Sequence, residues 1–310
     1  MIMIWLEILK FVIGLSILLW GANRLVKEAS TLAKKLGVHP IIIGITVLSI
    51  GTSIPEIASS VMSFIQGHAD VAVGNVIGSE FVQITLILGL VALIAPMKGK
   101  RKDILFYGVS MVVAILLAVL VISDHSITWF EGVFLVVAYI LFLSFIVKRD
   151  HDIVKEEGLK QEKESHWAKM SLFMMIGITF TILGANLTVN STVAIAKWFD
   201  ISEYIISFFL IGLGTSLPEL VVSGIAAWKG QFGMSLGDLL GSNITDPTLS
   251  LGLGAVFTKS AAISPVTGPS IIYLLVSVIF ILGFFAWRKK IPRWFAAFMI
   301  LMYVASIWII

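Results

Sequence analysis

The chain contains no cysteine among its 310 residues. This absence excludes disulfide bonds, thiolate metal sites and cysteine nucleophiles. Charged residues are also scarce, at 13% of the chain against about 25% in soluble domains. A chain of this length with so few charges has too little polar surface to fold as a soluble protein. No basic stretch with interleaved aromatic residues occurs, so nucleic acid is excluded as a partner.

Apolar sequence takes the place of the missing charges. Hydrophobic residues make up 58% of the chain, and the mean hydropathy is +1.01. A helix needs about 20 apolar residues to cross a bilayer. Ten apolar runs of suitable length cover roughly 3–23, 40–65, 71–95, 104–122, 130–147, 170–195, 204–228, 234–257, 270–287 and 293–310. We therefore expect an all-α polytopic membrane protein with ten transmembrane helices, surrounded by lipid and with no implied protein partner.

The basic residues are distributed unequally between the loops that join these runs. Of the 22 Lys and Arg residues, 19 lie in the odd-numbered loops, counted from the N-terminus. Loops rich in Lys and Arg remain in the cytoplasm. The distribution predicts a protein of the cell membrane with both termini outside.

The sequence contains an internal repeat. The segment GTSIPE at 51–56 recurs as GTSLPE at 214–219, and GNVIGSEFVQITLILG at 74–89 recurs as GDLLGSNITDPTLSLG at 237–252. Both pairs are offset by 163 residues, and five apolar runs separate the copies. Because five is odd, the second copy enters the membrane from the opposite face. Such inverted-topology repeats are typical of secondary transporters.

The repeat also divides the chain into parts. We expect a first five-helix repeat over 1–148, a short charged cytoplasmic linker over 149–169 and a second five-helix repeat over 170–310.

Polar residues recur at helical spacing in both copies, so those within one run share a helix face. The first copy supplies Ser49, Thr52, Ser53 and Glu56 in the second run, and Asn75, Ser79 and Gln83 in the third. The second copy supplies Gly212, Thr215, Ser216 and Glu219 in the seventh run, and Asp238, Ser242 and Asp246 in the eighth. Hydroxyl groups and small residues often do no more than join membrane helices. The carboxylates require a different explanation.

An ionised carboxylate at the bilayer centre costs at least about 2.5 kcal/mol. No Lys or Arg lies between Leu36 and Met97, and between residues 198 and 258 only Lys229 does, in a loop. We therefore expect the carboxylates to be balanced by a bound cation or a proton. Oxygen ligands without cysteine or intramembrane histidine favour hard cations such as Ca²⁺ and Na⁺.

Prolines predict breaks in the helices that carry these side chains. Pro55 and Pro218 have no N–H to donate, which frees the carbonyl groups of Gly51 and Gly214. Pro247 predicts a third break, beside the last acid of the second copy. Irregular backbone is tolerated in a membrane where it lines a cavity, so the freed carbonyl groups are further candidate ligands.

The paired motifs GTSIPE with GNVIGSEFVQ, and GTSLPE with GDLLGSNITD, resemble the two α-repeats of the calcium/cation antiporter superfamily, most closely the prokaryotic sodium/calcium exchangers. The resemblance covers essentially the whole chain. It implies that the second, third, seventh and eighth spans form a central diamond, and that the first and sixth spans slide against the rigid remainder of the protein to switch access. The cation ligands that it implies are Thr52, Ser53, Glu56, Ser79, Thr215, Ser216, Glu219, Ser242 and Asp246, with backbone carbonyl groups at Ser49 and Gly212.

Three positions depart from the family pattern. Gln83 stands where relatives more often have Asn or Asp, and it is expected to offer an amide oxygen. Glu80 stands opposite Asn243 of the second copy, and Asp238 stands opposite Asn75 of the first. These two accessory acids could bind cations or relay protons, or they could lie in a water-filled vestibule.

The sequence thus predicts a secondary antiporter, not an enzyme, with no bound cofactor. Its transported partners would be inorganic cations, with Ca²⁺ exchanged for Na⁺ by alternating access at a site near the membrane midplane. A Ca²⁺/H⁺ antiporter that uses the same acids is the alternative. A cation channel is disfavoured by the inverted repeat, and an intramembrane hydrolase is disfavoured because stripes of hydroxyl and amide groups suit coordination better than catalysis.

Overall fold

A computed structural model describes residues 2–95, 97–157, 167–199, 213–263 and 268–306, and nearly all of these are helical. The α-helices are α1 Ile2–Leu36, α2 Pro40–Ile43, α3 Ser49–Thr52, α4 Ile54–Ile65, α5 Ala69–Val82, α6 Leu88–Ile94, α7 Arg101–Val121, α8 Trp129–Glu157, α9 Trp167–Trp198, α10 Leu217–Trp228, α11 Phe232–Thr245, α12 Leu251–Val256, α13 Gly268–Arg288 and α14 Arg293–Ser306. Single π-helical turns continue the helices at Gly44–Leu48, Gln83–Ile87 and Asp246–Ser250.

Within the described residues, six helices are long and apolar enough to cross a membrane. They are Ile4–Leu36, Ala69–Ile94, Arg101–Val121, Trp129–Arg149, Trp167–Thr192 and Ser270–Arg288. The bent pair Pro40–Thr52 and Ile54–Ile65 makes a seventh if it is counted as one span. Leu217–Trp228 and Arg293–Ser306 are apolar but shorter. The chain is therefore a helical multi-pass membrane protein, and the number of ten spans stays a prediction.

Several helices extend beyond the apolar runs that predicted them. The first helix continues to Leu36, and α8 continues to Glu157. Hydropathy marks only the part of a helix that lies in lipid. Beyond it, α1 buries Ala29 and Ala33 and exposes Lys34. The predicted linker is accordingly helical at both ends, and residues 158–166 lie outside the described part.

The predicted break at Pro55 is confirmed. Ser53 separates α3 from α4 with φ −77° and ψ 4°, and the two halves of this span meet at 45°. In the second copy, Ser216 precedes α10 with similar angles of −89° and 10°. The break predicted at Pro247 is wrong, because the helix continues through this proline as a π-helical turn. A π-turn widens the helix locally and so accommodates a residue that cannot donate.

The first and sixth predicted spans pack together through backbone contact. Helices α1 and α9 lie against each other along most of their length. A Cβ atom added at Gly184 would lie 2.3 Å from the backbone nitrogen of Leu18, and one added at Gly21 would lie 2.6 Å from that of Thr181. The main apolar core lies elsewhere, among α5, α6, α7, α11, α13 and α14.

Two short pairings join loops from different halves of the chain. Strand β1 (Ser126–Thr128) pairs antiparallel with strand β2 (Ser260–Ala262), and Lys98 forms an isolated bridge with Lys290. The strands belong to the loops after the fourth and eighth apolar runs. The bridge joins the loops after the third and ninth. Each pairing therefore joins two even-numbered loops or two odd-numbered loops. This is what alternating spans require, because loops of one parity lie on the same face of the membrane.

The close approach of α1 and α9 gives a prediction for stability. Gly184→Ala should lower the melting temperature of the purified protein, because overpacking costs about 1–3 kcal/mol and backbone atoms cannot move aside. Gly283→Ala is the matched control, since a Cβ there meets nothing within 4 Å. Thermal unfolding in detergent measures both, and equal melting temperatures would show that the helices are not in backbone contact.

Candidate cation-binding site

The predicted polar stripes lie on the elements that surround the breaks and π-turns. Ten of the predicted side chains are at most 1% exposed: Ser49, Thr52, Ser53, Glu56, Ser79, Gln83, Ser216, Glu219, Ser242 and Asp246. Thr215 is half-buried. Gly212 lies outside the described residues. In the described part, the sequence motifs of both copies thus converge in the interior of the protein.

The two motif glutamates occupy equivalent positions at helix starts. Glu56 lies in the first turn of α4, and Glu219 lies in the first turn of α10. The proline before each of them lacks an N–H, which the first turn of a helix does not need. The partial positive charge of a helix N-terminus stabilises a nearby carboxylate. The broken helices therefore place one carboxylate from each copy in the same interior region.

In the described part of the chain, no well-formed hydrogen bond reaches these carboxylates, although a threonine of the other copy lies beside each of them. Among the described residues, neither oxygen of Glu56 or of Glu219 is partnered, and the hydroxyl groups of Ser53, Ser216 and Ser242 are also unpartnered. Buried polar groups without partners are rare in folded proteins. These glutamate and serine atoms are oxygens, which a bound cation would satisfy, whereas the unpartnered Nδ2 of Asn75 is a donor and cannot bind a cation.

No basic side chain balances the acids within the described residues. The ion pairs formed there join Glu7 to Lys10, Glu28 to Arg24 and Asp103 to Arg149. Glu56 instead lies within electrostatic range of Glu219 and Asp246. Like charges this close, and away from water, repel strongly. The cluster therefore favours the binding of positive charge.

The ligand set is mixed in its chemistry. In the part of the chain that the structure describes, no three His, Cys, Asp or Glu side chains are close enough to hold a metal ion by themselves. Hydroxyl groups supply further oxygens, since Thr52 lies beside Glu219 and Thr215 lies beside Glu56. Each motif thus places its threonine next to the carboxylate of the other copy. Mixed oxygen sets suit hard cations with flexible coordination, such as Ca²⁺.

Asp246 accepts a hydrogen bond that depends on two amides. The Nδ2 group of Asn243 donates to the carbonyl oxygen of Leu239 at 2.7 Å and to Oε1 of Gln83 at 2.6 Å. Nε2 of Gln83 in turn donates to Oδ2 of Asp246 at 3.0 Å. A backbone carbonyl only accepts, so it fixes the orientation of the Asn243 amide, and that amide fixes Gln83.

Gln83 therefore presents a donor to Asp246, while its oxygen is occupied by Asn243. Its predicted role as an oxygen ligand stays a prediction. Sequence reasoning did not single out Asn243 for a role in the site. The signal was present, because Asn243 occupies in the second copy the position that Glu80 has in the first.

The accessory acid Asp238 contacts the candidate site through the hydroxyl group of Thr52. It accepts hydrogen bonds from Ser223 Oγ at 2.5 Å and from Thr52 Oγ1 at 3.4 Å. The equivalent pair in the other copy, Thr215 with Asn75, also lies at 3.4 Å. Ser223 was missed by sequence reasoning, although it lies one helical turn after Glu219.

Glu80 lies on a different side of its helix. It is fully buried, and both of its carboxylate oxygens lack partners among the described residues. It lines a small cavity whose other walls are apolar and include Val76, Pro247 and Leu274. This burial disfavours a water-filled vestibule for Glu80, and the same holds for Asp238, which is also fully buried.

Comparison with known proteins identifies the family. The model of the family described as sodium/calcium exchanger protein matches residues 6–148 and 170–310. This chain belongs to the sodium/calcium exchanger family. An uncharacterised membrane protein of Methanocaldococcus jannaschii is 34% identical over 301 residues, which cover 96% of this chain and 95% of that protein. The sodium/calcium exchanger MaX1 of Methanosarcina acetivorans is 30% identical, and the match covers 98% of each chain.

Solved structures show the same fold. The sodium-calcium exchanger NCX_Mj, soaked with Na⁺ and Sr²⁺, superimposes with a TM-score of 0.82 at 31% identity, over 98% of both chains. The resemblance of the sequence to the calcium/cation antiporter superfamily is thereby confirmed. MaX1 and NCX_Mj are both named as exchangers.

The amide chain that reaches Asp246 can be tested by a double-mutant cycle. If Asn243 acts by orienting Gln83, then Gln83→Met and Asn243→Leu should be non-additive, with a coupling of about 0.5–3 kcal/mol. Melting temperatures of the two single variants and the double variant, with and without Ca²⁺, measure this coupling. Ser144→Ala, on the exposed face of α8, should combine additively with Gln83→Met. Additivity of both pairs would show that the two amides act independently.

Proposed function

We propose that this protein is a secondary antiporter that exchanges Ca²⁺ for Na⁺ across the cell membrane. The observation that carries the proposal is the pair of fully buried carboxylates, Glu56 and Glu219, which among the described residues have only a neighbouring threonine each and no basic side chain to balance their charge. A transported cation supplies the missing positive charge. The names of the relatives, which include sodium/calcium exchangers, support the same pair of ions.

The cation ligands proposed are the oxygen-bearing side chains of both copies. They are Thr52, Ser53, Glu56, Ser79, Thr215, Ser216, Glu219, Ser242 and Asp246, with backbone carbonyl groups at Ser49 and Gly212. The unpartnered hydroxyl groups of Ser53, Ser216 and Ser242 support this set. Asp238 serves to position Thr52, with which it shares a hydrogen bond.

The architecture proposed is ten spans in two inverted five-helix repeats, 1–148 and 170–310, joined by the linker 149–169. Contacts related by the 163-residue offset support it, because Thr52 contacts Asp238 as Thr215 contacts Asn75. The two loop pairings also agree with ten spans, because one joins two even-numbered loops and the other joins two odd-numbered loops. We propose that both termini lie outside, and the distribution of Lys and Arg between the loops supports this orientation.

Electrostatics explains why such a carrier would exchange ions rather than leak them. An empty cluster of carboxylates in a low dielectric is unfavourable, and a bound cation balances it. The carrier therefore changes its exposure readily when a cation occupies the site and poorly when the site is empty. We assign the moving part to α1 and α9, as the resemblance to the antiporter superfamily implies, and their close backbone contact at Gly21 and Gly184 is compatible with the two helices moving together.

A Ca²⁺/H⁺ antiporter remains the second candidate. Glu80 and Asp238 are buried acids beyond those that the proposed cation site uses, and acids can carry protons as well as hold metal. Coupling to protons predicts Ca²⁺ flux that a pH gradient drives in the absence of Na⁺.

Uptake of ⁴⁵Ca²⁺ into proteoliposomes decides between the two coupling ions. A Na⁺ gradient and a pH gradient are imposed separately, with the membrane potential clamped. We expect uptake with an outward Na⁺ gradient and none with the pH gradient alone. The reverse result would assign the protein to Ca²⁺/H⁺ exchange, and channel-like uptake without either gradient would refute an antiporter.

Removal of one site charge should abolish exchange without unfolding the protein. Glu56→Gln and Glu219→Gln should each weaken Ca²⁺ binding by about 2–5 kcal/mol, since a buried ionic contact is lost. Glu7→Gln is the matched control, because Glu7 pairs with Lys10 at a partly exposed position of α1. The same ⁴⁵Ca²⁺ assay measures all three variants, with gel filtration to verify folding. Normal exchange by a folded Glu56→Gln variant would exclude this site.

A further inference from the structure

Two loops on one face of the protein carry a dense positive charge. Their basic residues are Lys98, Lys100, Arg101, Lys102, Arg288, Lys289, Lys290 and Arg293, and all eight are exposed. We call these eight residues the basic surface. Within the stretches 96–106 and 284–296, Asp103 is the sole acid, and it forms an ion pair with Arg149 at 2.8 Å.

The two loops are fixed to each other by their backbones. Gly99 N donates to the carbonyl oxygen of Lys289 at 3.2 Å, and Ile291 N donates to that of Met97 at 3.0 Å. The side chains of Met97 and Ile291 are buried in the main apolar core. Loops from opposite halves of the sequence therefore form one anchored surface, whereas charge that serves only to orient the chain needs no such junction.

The surface lies where helices leave the membrane. Helices α6 and α13 end at it, and α7 and α14 begin at it. Trp287 and Trp294 flank it and are 71% and 61% exposed. Exposed tryptophans at helix ends typically lie at the level of the lipid headgroups. From the two tryptophans and the helix ends, we infer that the basic side chains lie at the depth of phospholipid phosphates.

The backbone at Lys289 adds an independent observation. Its φ of 57° is left-handed, and the residue follows the last turn of α13, where glycine is the usual residue. Glycine would adopt this conformation without strain. The strained lysine keeps a further positive charge at the centre of the junction between the loops.

We propose that the basic surface binds the headgroups of anionic phospholipids, with the phosphate groups held by the side chains of both loops. The lipid is favoured over free phosphate because the surface is bordered by exposed tryptophans and by the ends of apolar helices. These features contact acyl chains, which a soluble anion lacks. The inference does not depend on which ions the protein exchanges.

Native mass spectrometry of the purified full-length chain tests the proposal. The protein is equilibrated with equal amounts of phosphatidylglycerol and phosphatidylcholine, and retained lipids are counted. The variant Lys98→Gln/Lys289→Gln/Lys290→Gln should lose its preference for phosphatidylglycerol, by about fivefold for each charge removed. The matched control is Lys27→Gln/Lys34→Gln/Lys35→Gln, which removes the same charge from the C-terminal part of α1, and should retain the preference.

Each other outcome would overturn the proposal. Equal losses in both triple variants would show an unspecific effect of net charge, and an unchanged preference in the first variant would exclude the basic surface. Displacement of the lipid by millimolar glycerol phosphate would assign the site to soluble phosphates instead. The single variants Lys98→Gln and Lys290→Gln guard against misfolding, since each should show a smaller loss in a protein that elutes as wild type.

Discussion

The fold depends on one constraint: carboxylates buried in a membrane protein must be balanced by positive charge. Glu56, Glu219 and Asp246 lie within electrostatic range of one another, and the described residues offer them no basic partner. The chain nevertheless assembles two broken helices around two of these acids. A fold that served stability alone would gain from replacing them with apolar residues. The presence of these acids is explained if a transported cation supplies the balancing positive charge.

The symmetry of the sequence determines how this constraint is met. Each copy of the motif contributes a helix that breaks before a glutamate, and each threonine lies beside the glutamate of the other copy. The proposed cation site is therefore shared between the halves. Small departures from symmetry, such as Gln83 donating to Asp246, give the two halves different chemistry.

Much of this could be predicted from the sequence, for identifiable reasons. The apolar runs, the repeat and the break at Pro55 follow from hydropathy, from identity at a fixed offset and from the missing N–H of proline. The π-turn at Gln83–Ile87 could not be predicted, because it contains no proline or other residue that signals a break. The break predicted at Pro247 was wrong, because the helix continues through this proline as a π-turn.

The orientation of Gln83 was equally beyond sequence reasoning. An amide can offer oxygen or nitrogen, and Asn243 on another helix decides between them.

The most direct test of the account is diffraction from crystals soaked with Ca²⁺, using anomalous scattering to locate the ion. The account predicts an ordered ion about 2.3–2.6 Å from carboxylate oxygens of Glu56 and Glu219. Crystals in which Ca²⁺ binds only at the protein surface, while both carboxylates stay free of metal, would contradict it.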